Sequence, residues 1–150
     1  MIAIAGGLFS LALTSRSTMA ADSYAAPTGP GGADVQGPYA TAVGFGAVSG
    51  EMGSAYGYQA NAVAENATAI GYGTSTNSNA SAFGYKAVAD GAASVAIGSM
   101  SYADGGVSGS IAIGAESSAL GGVAIGDLAR STGEDTIAVG HEATATHQSA

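Results

Sequence analysis

The chain has 150 residues, of which 25 are glycine, three are proline and none is cysteine, and only 9 % are charged. Eleven acidic against three basic residues give a formal net charge of −8, which leaves no cationic footprint for nucleic acid or for an anionic lipid surface. With 47 % hydrophobic residues the chain is too apolar for a disordered segment, and without cysteine it has neither a disulfide framework nor a thiolate metal site.

Residues 1–20 stand apart from the rest. Ile2 to Leu13 form an apolar run, a short polar stretch follows, and Thr18 and Ala20 are small residues at −3 and −1 of a cleavage after Ala20. That pattern reads as a secretory signal peptide, although no Lys or Arg precedes the run and Arg16 follows it. The run is too short to span a bilayer, so no direct membrane insertion by this segment is expected. Residues 21–38 are rich in Ala, Gly and Pro, have no apolar period and read as a linker.

Residues 39–150 repeat themselves. An Ala–apolar–Gly anchor occurs eight times, its last two residues being Val43-Gly44, Tyr56-Gly57, Ile70-Gly71, Phe83-Gly84, Ile97-Gly98, Ile113-Gly114, Ile125-Gly126 and Val139-Gly140. The glycines are 13, 14, 13, 14, 16, 12 and 14 residues apart. These sixteen residues are the expected structural core of the repeat. Small residues recur three and five positions after each glycine, from Ala47 and Ser49 to Ala143 and Ala145, and the length changes fall in turn-like stretches such as Asp104 to Ser110. Each unit therefore reads as strand, sharp turn, short second strand and looser turn, stacked as a parallel β-solenoid.

Period-2 alternation sorts the first strand. Positions four and two before the glycine are small. Positions three and one before it run from Thr41/Val43 through Val95/Ile97 to Ile137/Val139 and become bulky along the chain. One row should fill the thin lumen and the other should pack on another chain, because a long apolar row left wet costs about 25 cal/mol per Å². The sequence leaves open which row does which. In the second strand the variable row of Val48, Asn61, Ser75, Val88, Tyr102, Ser118, Arg130 and Thr144 is the expected solvent face.

The segments Ser94-Val95-Ala96-Ile97-Gly98 and Ser110-Ile111-Ala112-Ile113-Gly114 resemble the head repeat of trimeric autotransporter adhesins, the YadA-like family, whose motif runs Asn-Ser-Val-Ala-Ile-Gly-x-x-Ser. The resemblance covers about residues 40–150. It implies an all-β fold, a left-handed parallel β-roll, a homotrimer of such rolls, an outer-membrane cell-surface location, and adhesion to extracellular matrix or a cell-surface ligand. Ala93 and Gly109 stand where the motif has Asn. The family's coiled-coil stalk and membrane barrel have no counterpart in these 150 residues, so a fragment or a head-only protein is expected.

Chemistry is sparse. His141 and His147 fit no ligand spacing, and Glu51, Glu65, Asp90, Asp104, Glu134 and Asp135 come mostly one per turn, unlike a calcium loop. No Ser–His–acid grouping recurs, so no catalytic residue, metal or cofactor is expected and the chain is not read as an enzyme. Asn66-Ala67-Thr68 and Asn79-Ala80-Ser81 match the glycosylation pattern but follow from the repeat itself. Phe45, Tyr58, Tyr72 and Tyr85 each follow an anchor glycine and form a candidate adhesion stripe, or else a packed edge. The leading functional reading is an adhesive head module. A spacer or fibre segment, as in a phage tail, and an ice-binding solenoid are the alternatives.

Overall fold

The computed structural model describes residues 23–27, 30–104, 106 and 109–146. The expected signal peptide and the tail from His147 onward lie outside the described residues. All regular structure among the described residues is β-strand. Three-residue strands, from Tyr24–Ala26 and Thr41–Val43 to Ile137–Val139, alternate with two-residue strands, from Asp34–Val35 and Val48–Ser49 to Thr144–Ala145. The long strands form one nine-stranded parallel sheet and the short strands another, each strand pairing with its counterpart one repeat away. The result is a parallel β-solenoid in which every repeat is one rung.

The two rows of the long strand are assigned by size. The central alanine of every anchored long strand points inward: Ala42, Ala55, Ala69, Ala82, Ala96, Ala112 and Ala124 are fully buried and Ala138 nearly so. Small residues in and just before the short strands face them, among them Ala60, Ala62, Ala87, Ala89, Ala103, Ala119 and Ala129. Two sheets joined by two-residue turns leave room for little more than methyl groups. The bulky partners of the anchor glycines cannot fit there. Val43, Tyr56, Ile70, Phe83, Ile97, Ile113, Ile125 and Val139 lie on the outer face of the long-strand sheet, outside the lumen.

Two columns of tight turns close the rungs. In one, the anchor glycine carbonyl accepts a hydrogen bond from the amide three residues on, as in Ala47 to Gly44 at 3.2 Å, and the third turn residue has positive φ. Gly46, Gln59, Gly73, Lys86, Met100, Glu116, Leu128 and Glu142 fill that position. In the other column the positive-φ position is filled by Tyr39, Met52, Asn66, Asn79, Ala93, Gly109, Gly121 and Asp135. This is the pattern of a type II turn, which favours Gly or Asn at its third residue. The Asn of the family motif therefore occupies a left-handed site, and Ala93 at φ 57° departs from it at a steric cost. Ala93→Asn is expected to raise stability by about 1 kcal/mol, read as an upward shift of the thermal midpoint.

The segment expected to be a linker is partly a rung. Tyr24, Ala25 and Ala26 pair in register with Thr41, Ala42 and Val43, and Asp34 and Val35 pair with Val48 and Ser49. The rung is hidden in the sequence because Pro27 stands where later rungs have the anchor glycine, and more residues separate its two strands. Val35 is the largest fully buried side chain and fills the first layer of the lumen.

The hydroxyls of Ser49 and Ser94 are buried in the lumen without a hydrogen-bond partner. Other rungs carry alanine at the Ser94 position, as at Ala40, Ala67 and Ala80. Ser94→Ala removes an unpaired buried donor and should stabilise the fold by about 1 kcal/mol, measured by chemical denaturation.

Candidate binding surface

One column of the outer face of the long-strand sheet is apolar from end to end. Tyr56, Ile70, Ile97 and Ile125 keep more than a third of their surface exposed, and Ile137 and Val139 are 69 % and 63 % exposed. This row is too regular and too wet to be explained by the fold of one chain. The second column of the face changes character at the middle. Thr41, Ser54, Thr68 and Ser81 occupy it in the first four anchored rungs, and Val95, Ile111, Val123 and Ile137 in the last four.

At the adjoining corner the candidate stripe is a physical ridge. Phe45 and Tyr58 stack with ring centroids 5.9 Å apart, Tyr58 and Tyr72 at 5.2 Å, and Tyr72 and Tyr85 at 5.3 Å, with planes within 20° of parallel. The parallel ladder beneath sets this spacing, because equivalent residues of paired strands lie one rung apart. Both ends of the stack are covered. The Phe45 ring lies against the backbone of Gly31, and the Lys86 ammonium sits 5.3 Å over the Tyr85 ring. All four rings remain about half exposed. The ridge thus satisfies both readings of the stripe: its ring faces are packed on one another and its edges face water.

The ridge ends at the same rung where the sheet column switches. Beyond Tyr85 the corresponding residues are Ser99, Ala115, Asp127 and His141. Two independent columns change together, so one continuous lumen carries two surface blocks of four rungs each. The first corner, including Gly46, Gln59, Gly73 and Lys86, has no acid. The second holds Glu116, Asp127 and Glu142. Sequence reasoning missed Lys86 as part of this site. Its position directly after Tyr85, in a chain with three cationic residues, was the available signal.

The expected solvent row of the short-strand sheet does point outward, with Asn61, Arg130 and Thr144 exposed. Its half-buried Tyr102 donates a hydrogen bond to Asp104 at 3.2 Å. Burial, with the carboxylates of Asp104 and Asp90 nearby, pushes the phenol above its ordinary value and keeps it a neutral donor. His141 lies 3.9 Å from Glu142 in an exposed pair. Among the described residues no three His, Asp or Glu side chains are grouped to hold a metal ion.

A parallel solenoid with an Ala-filled lumen, an apolar outer column and a stacked aromatic corner defines a surface-presenting repeat module. The family model described as the YadA head domain repeat matches residues 49–74, 75–101, 118–143 and 131–150, more than half of the chain. The chain belongs to the family of YadA head domain repeats, the head type of trimeric autotransporter adhesins. No curated protein matches the sequence.

Proposed function

We propose that this chain is the exported, homotrimeric adhesive head of a bacterial surface protein, and that it binds host matrix or cell surfaces. One observation carries the reading: eight rungs of apolar side chains stand on the outside of a fold whose own core is alanine. A continuous exposed apolar row of this kind marks an interaction surface. Heads of this family form trimers in general, which supports two further copies of the chain as the partner. The apolar leader at residues 2–13 supports export.

With the sheet faces turned toward one another, the aromatic ridge serves as the contact for a ligand. Tyr is suited to this because it adds apolar area and a hydroxyl at small entropic cost. The double change Tyr58→Ala and Tyr72→Ala removes the middle of the ridge. It should lower adhesion to immobilised matrix or cultured cells at least about tenfold, the loss of one hot-spot contact, while far-ultraviolet circular dichroism stays unchanged. Undiminished adhesion would remove the ridge from the reading. A wild-type chain that adheres to none of these surfaces would make it a spacer.

A further inference from the structure

We infer that the aromatic ridge binds a linear β-1,4-linked glycan lying along the solenoid axis, one sugar per rung. The inference rests on the ridge being the adhesive contact, and adds the chemical class of the ligand.

The first argument is register. Ring centroids along Phe45, Tyr58, Tyr72 and Tyr85 lie 5.9, 5.2 and 5.3 Å apart, offset on rungs that advance by about 4.8 Å along the axis. An extended β-1,4-linked glycan advances by nearly one rung with each sugar and turns over from one sugar to the next, so each ring meets one sugar and every second ring meets the same edge of the polymer. Peptides do not match. A β-strand presents same-face side chains about every 6.6 Å, and a polyproline helix about every 9 Å. Either falls out of step within the four rungs of the ridge.

The second argument is the chemistry left at the surface. Stacking occupies the ring faces, with Gly31 and Lys86 at the two ends, so a flat apolar ligand finds no open platform. The exposed ring edges carry the hydroxyls of Tyr58, Tyr72 and Tyr85, which make no hydrogen bond among the described residues. A phenol hydroxyl both donates and accepts. Three in a row, beside the amide of Gln59 and the ammonium of Lys86, suit a ligand that offers hydroxyl and ether oxygens at regular intervals.

The third argument is charge. On a chain of net charge −8, this corner of four rungs is free of carboxylates and holds one of the two cationic side chains among the described residues. Carboxylates at the same corner of the last four rungs, Glu116, Asp127 and Glu142, offer acceptors only. The donor-rich strip is therefore confined to the first block, where the ridge is.

The test uses the full chain in the assembly it forms. Binding is measured to immobilised β-1,4-linked hexamers of glucose and of N-acetylglucosamine, with the α-1,4-linked glucose hexamer as the geometric control. The two β-linked arms separate a glucan source from an amino-sugar source. The wild type should bind at least one β-linked hexamer and not the α-linked one. The triple change Tyr58→Phe, Tyr72→Phe and Tyr85→Phe keeps the stack and removes only the hydroxyls. It should weaken that binding about tenfold or more, since each lost hydrogen bond is worth several-fold. Equal binding of the α-linked hexamer, no binding of either β-linked hexamer, or full binding by the triple Phe variant overturns the glycan. If adhesion to cells is then lost in the Tyr→Ala variant but kept in the triple Phe variant, the ridge still binds and its ligand is a peptide surface. If the Tyr→Ala variant adheres normally, the adhesive reading of the ridge falls as well.

Discussion

Gly71→Ala should unfold most of the array, whereas Gly73→Ala, two residues further along the same turn, should be tolerated. Gly71 has φ +135°, a conformation open in practice only to glycine, and a methyl group there would be driven into the carbonyl of Gly84 on the next rung. The obstacle is backbone and belongs to the ladder itself, so relief requires separating two rungs. The same contact recurs along the column, from Gly44 against Gly57 to Gly126 against Gly140. Strain and collision together should cost more than about 3 kcal/mol, a large share of the stability of a small domain. Gly73 has φ +60°, and its nearest neighbour would be Lys86 Cγ at 3.6 Å, an ordinary contact with a flexible chain. Gln59, Lys86, Met100 and Leu128 already hold the equivalent positions. Its replacement should cost only about 1 kcal/mol. Thermal denaturation followed by circular dichroism separates the two, and similar midpoints for both variants would refute the stacking argument.

Placing a carboxylate in the outer apolar row should dissolve the assembly and leave the solenoid intact. Ile97 and Ile113 sit at the centre of the long-strand sheet, where both outer columns are aliphatic. Neither side chain touches the lumen, so Ile97→Asp and Ile113→Asp remove no core packing. Against partner chains, each would bury an unpaired charge at a cost of several kcal/mol. Light scattering should show a trimer for the wild type and a monomer for the double variant, with the same strand content. The equivalent change in the polar half, Thr68→Asp, should have a smaller effect because a hydroxyl already stands there. A monomeric wild type, or a trimer that survives both Ile changes, would rule out the outer row as the interface.

Much of this architecture is legible in the sequence, because each feature is written many times. Eight Ala–apolar–Gly anchors fix the rungs, and the small residues at three and five positions beyond fix the second strand. The assignment of the two rows was not legible. It depends on the inner diameter of the coil, which follows from turn geometry and not from any single repeat. The rung at Tyr24–Ala26 escaped because it lacks the anchor glycine, and strand register alone reveals it. The ridge was half legible. The aromatic residues were visible at their spacing, but their stacking and the cover from Gly31 and Lys86 arise only when the rungs close up. The left-handed turn positions also stayed hidden, since Met52, Lys86 and Leu128 are not residues that announce them.

The sameness of the lumen has a further consequence. Beyond the first layer, which Val35 fills, each interior layer is alanine with its small neighbours, so no later layer is keyed to a particular address along the axis. A domain with an individual core cannot lose or gain a slice without leaving a hole. Here recombination between repeats can add or delete a whole coil and present each flank with the neighbour it had before. The height of the array then becomes a heritable variable, adjusted in steps of about 4.8 Å while the interior stays the same.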